Sequence, residues 1–203
     1  NLRKSLAHSY RLTAFIAAGV LILSQSFASL VLTGLHTPSN IIGMSLLYLR
    51  IIFCGIPATA AYNMFASALR AMGNSKTPLT AMIIASVLNV SLDILFVAGF
   101  GWGVAGAAIA TVIAQSFSAV YCFLILRRID IVHLTRADFM PASGMNARLM
   151  KLGIPVVFQN IIIGVGGLVV QYVINGYGFL FVAGFTATNK LYGLLEMAAI
   201  SYG

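Results

Sequence analysis

Acidic residues are nearly absent: the chain holds 4 Asp and Glu in 203 residues, and charged residues of either sign reach only 8%. With 60% hydrophobic residues and a mean hydropathy of +0.98, there is too little polar surface to cover a water-soluble globule of this length. The solvent for most of the chain is therefore lipid. Cysteine is as scarce. Cys54 and Cys122 both lie within apolar runs, away from an oxidising loop and far from metal-ligand spacing, which leaves them as packing thiols. The three histidines, His8, His36 and His133, stand at or beyond the ends of those runs. No Ser/His/Asp arrangement, metal-ligand cluster or phosphate loop emerges, so the chain is not expected to be an enzyme.

What is abundant is long apolar sequence. Crossing a hydrocarbon core of roughly 30 Å takes about 20 helical residues. Runs of that order occupy 12–35, 41–69, 79–100, 104–126, 152–172 and 179 onward, six spans in all. Lys and Arg total 12, for a net charge of +8, and their positions decide what the excess means. Arg3, Lys4 and Arg11, then Arg70 and Lys76, then Arg127, Arg128, Arg136, Arg148 and Lys151 fall in alternate gaps, placing ten of the twelve on one side. The intervening gaps at 36–40, 101–103 and 175–178 carry no Lys or Arg. The positive-inside rule makes the basic side cytoplasmic. Nucleic-acid binding would explain the total charge but not its alternation, so no nucleic-acid partner is expected.

Connections between spans are short, with Ser75-Lys76-Thr77-Pro78 as a cytoplasmic turn whose proline stands near a helix start, where its missing N–H costs nothing. The exception is 127–151, rich in charge and carrying Pro141, Ser143, Gly144 and Asn146, which reads as a cytoplasmic linker between two helical bundles. Pro57 and Pro155 fall inside spans and are expected to bend them. Gly101-Trp102-Gly103-Val104-Ala105-Gly106 fits the dinucleotide pattern G-x-G-x-x-G, but it follows a full span and no acidic residue stands about 20 positions on, so close helix packing is the better account. Asn89-Val90-Ser91 has the form of a glycosylation sequon but falls inside a span. The first residue is Asn, no signal peptide precedes the first span, and Gly203 ends within an apolar stretch, so truncation at both ends is expected.

Four ionisable residues interrupt the spans: Arg50, Asp93, Lys190 and Glu196. Each costs about 2.5–3.5 kcal/mol at a lipid-facing helix centre and so is expected to face a bundle interior or a wet cavity. Ser86, Asn89 and Asp93 fall within about 60° of one another at 100° per residue, one polar stripe on the third span. Thr111, Gln115 and Ser118 repeat the pattern on the fourth. Two such helices side by side can enclose a hydrated pocket in which Asp93 takes up a proton or helps ligate a hard cation such as sodium. The plainer alternative is interhelical hydrogen-bond glue, about 0.6 kcal/mol per contact; that serves for Ser and Thr, but the desolvation cost of Asp93 exceeds it. Arg50 is within snorkelling reach of the outer interface. Lys190 and Glu196 stand about 120° apart and do not pair on one face. On the fifth span Asn160, Gly164, Gly167 and Gln171 share a face suited to close packing or a cavity wall.

Three segments taken in order resemble one known family: 63–71 followed by Met72-Gly73-Asn74-Ser75-Lys76-Thr77-Pro78; then Asn89-Val90-Ser91-Leu92-Asp93; then Gly101-Trp102-Gly103-Val104-Ala105-Gly106-Ala107-Ala108-Ile109-Ala110-Thr111. The ordered set is similar to the multidrug and toxic compound extrusion (MATE) family. The resemblance implies an all-α polytopic membrane protein, with the spans here corresponding to the third through seventh helices and part of the eighth of a two-lobe, twelve-helix transporter. Residues 1–126 would be part of the first lobe, 127–151 the linker and 152–203 the start of the second. It implies a secondary active antiporter of the plasma (inner) membrane that exports drugs or amphiphilic organic cations against sodium or protons. Its partners would be a small-molecule substrate and the bilayer, with no cofactor beyond the coupling ion. In the branch resembling the DNA-damage-inducible and archaeal members, a cation or proton site uses an Asn and an Asp on the fifth helix and a Thr on the sixth, which map onto Asn89, Asp93 and Thr111. A fourth-helix Asn used in some members corresponds to Asn63. A further acidic residue comes from a first helix outside this sequence. The other bacterial branch uses a Glu on the seventh helix, where this chain offers Gln159, Asn160 and Ile163, so coupling of that type is not implied. Two alternatives remain open. A lipid-linked oligosaccharide flippase of the same superfamily would need more cavity-facing cations than Arg50 and Lys190 supply. A non-transport membrane scaffold or membrane-embedded enzyme would be the other, and for the enzyme the catalytic constellation is missing.

Overall fold

The computed structural model describes residues 2–34, 42–129 and 145–175, together with 177, 181, 184–185, 187–189 and 191–193. The described residues form α1 (Leu2–Gly34), α2 (Ile42–Cys54), α3 (Ile56–Ala71), α4 (Lys76–Asp93), a π-helical segment (Ile94–Gly99), α5 (Gly103–Arg127) and α6 (Met145–Asn175). Five stretches are long and apolar enough to cross a membrane: Arg3–Gly34, Ile42–Ala71, Lys76–Gly99, Gly103–Arg127 and Leu149–Ile174. The sixth expected span, from 179 onward, falls largely outside the described residues, as do Lys190 and Glu196. The fold is an all-α polytopic membrane protein.

Four departures from the sequence expectation have local causes. α1 begins at Leu2, ten residues before the apolar run, because Leu6 and Tyr10 pack against a core of Ala68, Leu69, Ala81, Cys122 and Leu126 while Arg3, Lys4 and Arg11 stay exposed. The second span is broken at Gly55. The Gly55 N–H bonds the Ile52 carbonyl at 2.9 Å in a tighter turn, and Pro57, in the first turn of α3, has no N–H to give the carbonyl four residues back. The third span leaves α-geometry after Asp93. Within 127–151, the chain from Met145 to Lys151 is already helical and continuous with α6.

Contacts divide the chain into two compact units, 1–149 and 150–203. In the first, α5 packs against α2, α3 and α4, while α1 packs against α2 and α3. The central helix earns its position through small residues: Gly106, Ala108, Ala110, Ala114, Ser118 and Ala119 are buried and let neighbouring backbones approach. A Cβ on Gly106 would stand 2.9 Å from Phe96 Cβ and 3.2 Å from the Phe96 carbonyl carbon, so the π-helical segment rests on a position only glycine can fill. Gly101 and Gly103 take positive φ in the turn ahead of it, which is the structural use of the glycine pattern. The second unit contains most of α6, whose apolar side chains are largely exposed.

Candidate functional site

Where α3, α4 and α5 meet, they enclose a cavity of about 360 Å³. α3 contributes Thr59, Tyr62 and Asn63. From α4 come Ser86 and Asn89, and from α5 Thr111, Gln115 and Ser118, with Met82, Ala85 and Ala114 as the apolar floor. The helical spacing explains the assembly. Thr59, Tyr62 and Asn63 are at i, i+3 and i+4; Ser86 and Asn89 at i and i+3; Thr111, Gln115 and Ser118 at i, i+4 and i+7, so each trio or pair shares one face. Across the cavity two side-chain pairs meet, Thr59 with Gln115 and Asn89 with Thr111, while Asn63 and Ser86 stay exposed.

Hydrogen bonds fix which atoms are left for a ligand. Tyr62 donates to the Pro78 carbonyl at 3.3 Å, and Ser118 lies 3.3 Å from the Ala114 carbonyl and 3.4 Å from that of Ala81. Thr111 Oγ1 donates its one proton to the Ala107 carbonyl at 3.0 Å. Asn89 Nδ2 points at the same oxygen from 3.5 Å, at the outer limit of a hydrogen bond. Thr111 can therefore only accept from, or ligate, anything else, and the Asn89 amide oxygen is left over. Both are the neutral oxygens that a hard cation takes.

Of the four residues singled out by resemblance, Asn63, Asn89 and Thr111 line this cavity together. Asp93 is not among its lining residues. It ends α4, one turn beyond Asn89 on the same face and about 6 Å further along the axis. Its Oδ1 is buried and has no hydrogen-bond partner. A buried carboxylate oxygen left unpaired costs upward of about 1–3 kcal/mol, and the backbone next to it is the π-helical segment, a geometry that recurs at functional sites.

Thr59 escaped the sequence reading, although its spacing to Asn63 on a span was the available signal. Its hydroxyl lies 2.6 Å from Gln115 Oε1 and 3.2 Å from the Gly55 carbonyl. Gln25 escaped it too: its Nε2 donates to the Arg50 carbonyl at 2.8 Å and to Cys54 Sγ at 3.3 Å, tying α1 to α2. This corrects the expectation for Cys54, which is exposed and acts as an acceptor; Cys122 is buried in the core. The Arg50 side chain is exposed. On α6, Asn160 donates to its own Val156 carbonyl at 2.8 Å. A larger, apolar cavity of about 850 Å³ lies along α1 and α2, lined by Leu23, Phe27, Val31, Met44 and Tyr48 among others.

Helices of this length and apolarity, packed around a cavity lined by polar side chains, define a multi-pass membrane protein. Residues 1–95 match the MatE family. The probable multidrug resistance protein YpnP of Bacillus subtilis (strain 168) is 35% identical over 176 residues, 87% of this chain and 39% of that protein. The multidrug export protein MepA of Staphylococcus aureus (strain NCTC 8325 / PS 47) is 24% identical over 93% of this chain and 43% of its own length. The chain thus spans about two-fifths of the length of these curated relatives. Among solved structures, a MOP superfamily transporter from Pyrococcus furiosus superposes with a TM-score of 0.83 at 22% identity, over 95% of this chain and 43% of that one. An inward-facing multidrug resistance MATE transporter superposes at 0.69 and 24%, over 74% and 34%. At those identities the superpositions speak for the fold, and the sequence match to the MatE family lies in residues 1–95.

Proposed function

We propose that this chain is part of a secondary active antiporter that exports drugs or amphiphilic organic cations in exchange for sodium or protons, with the coupling ion handled by the cavity and by Asp93. The observation that carries the reading is the pairing of the Asn89 amide oxygen and the remaining lone pair of Thr111 with a buried, partnerless carboxylate oxygen one turn from Asn89. A proton or a hard cation is what each of these groups lacks. Asn63 adds a second amide from α3. An export role for the whole protein is supported by the names of its relatives, a probable multidrug resistance protein and a multidrug export protein. The described residues lining the cavity include no Lys or Arg, which suits a cation and not a lipid pyrophosphate.

The proposed location is the plasma membrane, with basic loops in the cytoplasm. In the full-length protein, single cysteines at 74 and 145 are expected to react only from inside and those at 37 and 177 from outside; label reaching 74 from outside intact cells contradicts the orientation. The activity itself is tested in proteoliposomes of the full-length protein loaded with ethidium. Export is expected to follow an imposed inward sodium or proton gradient and to stop when the gradient is collapsed. Ethidium movement indifferent to both gradients rules out the antiporter.

A further inference from the structure

Thr59 has one hydroxyl proton and two acceptors within reach, the Gly55 carbonyl at 3.2 Å and Gln115 Oε1 at 2.6 Å. Donation to the carbonyl four residues back is the ordinary habit of threonine in a helix. When the proton goes to Gln115, the amide oxygen is occupied and the NH2 is the group left for the cavity. When it goes to Gly55, Thr59 Oγ1 becomes an acceptor, Gln115 turns its NH2 to it, and the amide oxygen is left for the cavity. The two orientations of a carboxamide exchange oxygen and nitrogen at nearly the same positions, so the change needs no backbone movement. The helix break lies beside this pair: a Cβ on Gly55 would stand 3.0 Å from the Ile52 carbonyl oxygen and 3.0 Å from Val112 Cγ2, so the close approach to α5 next to Gln115 rests on a glycine.

At the other end of the cavity the distances favour one arrangement, because Thr111 Oγ1 stands nearer the Ala107 carbonyl, at 3.0 Å, than the Asn89 amide, at 3.5 Å. Thr111 has given its proton to Ala107, so Asn89 meets an oxygen that only accepts, and the Asn89 oxygen is the atom left over. We propose that Gln115 is a specificity-determining residue of the cavity, presenting its oxygen to a cation and its NH2 to an organic ligand that carries acceptor oxygens, with Thr59 as the positioning residue that permits both. This rests on the exchange reading above: an exchanger holds two unlike ligands in turn, and a side chain of reversible polarity can contact either.

The test uses purified full-length protein and three probes: sodium; norfloxacin, which offers ketone and carboxylate oxygens; and ethidium, whose amines donate. Gln115→Met keeps the length and deletes the amide. Its affinities for sodium and for norfloxacin are expected to fall about five- to tenfold relative to ethidium, the effect of one hydrogen bond or ligand oxygen. Thr59→Val, which removes only the hydroxyl, is expected to move both ratios in the same direction, and Thr59→Ser to restore them. Ratios unchanged within about twofold, or an equal loss for all three probes as a packing defect gives, overturn the proposal. If Gln115→Met is not recovered folded, Thr59→Val against Thr59→Ser decides by the same ratios. Asp93→Asn and Asn89→Ala run alongside: if neither weakens sodium binding nor alters proton uptake, the cavity reading itself has failed; if either does and Gln115→Met does not shift the ratios, only this assignment has.

Discussion

The polar stripes on α4 and α5 and the polar stripe on α6 look alike in sequence, each an amide and small or hydroxylated residues at helical spacing, yet their structural situations differ. Asn89 faces Thr111 across a cavity, and Ser118 reaches the Ala81 carbonyl on α4. Asn160 bonds the Val156 carbonyl of its own helix. A stripe becomes a site when a second helix supplies complementary groups. Periodicity reports which residues share a face, but what the face meets is a tertiary fact.

The largest effect of substitution is expected where a helix has approached through a missing side chain. Gly106→Val drives a branched side chain into Phe96 and is expected to destabilise the first unit by about 1–3 kcal/mol, the usual range for overpacking. Thermal unfolding of the full-length protein in detergent checks this; a loss under about 0.5 kcal/mol would show that the glycine on α5 is not a packing position. Next come Asn89→Ala and Thr111→Ala, each deleting one neutral oxygen. Gradient-driven export is expected to fall severalfold in either, consistent with roughly 1 kcal/mol per group, and export at the wild-type rate in both would remove the cavity from the mechanism. The smallest effect belongs to Asn160→Ala. Among the described residues its side chain bonds only the Val156 carbonyl of its own helix, so stability should stay within about 0.5 kcal/mol; a larger loss measured by the same unfolding assay would mean that α6 uses this face as α4 uses its own.

Much of the first unit was legible from periodicity. The apolar runs, the alternation of basic residues, and the stripes carrying Asn89 and Thr111 all follow from residue spacing, and the helices form where those runs lie. The linkage of Asn63 to the site came from family resemblance; its position is among the residues lining the cavity, on an exposed face of α3. What escaped was tertiary. Tyr10 belongs to α1 because Phe65 meets its ring at a centroid distance of 5.5 Å, a contact no hydropathy window contains. Pro57 signalled a bend, but the break falls at Gly55 because the tight turn closes there on Ile52. The π-helical segment has no composition of its own, and Gly106, on another helix, is what gives it room. Thr59 was hidden by looking for polar stripes on two helices when the cavity has three walls.

The central claim is that Asp93 is the ionisable coupling group of this site. Asp93→Asn keeps the shape, removes the charge, and leaves an amide able to hydrogen-bond, so the full-length protein is expected to insert and fold. The most direct measurement is ethidium export by that variant in proteoliposomes across a series of sodium concentrations and pH values, beside wild type. The account expects export to fall at least tenfold and what remains to lose its dependence on both ions. Export at the wild-type rate, with the wild-type response to sodium and pH, would make Asp93 a structural residue and contradict the account.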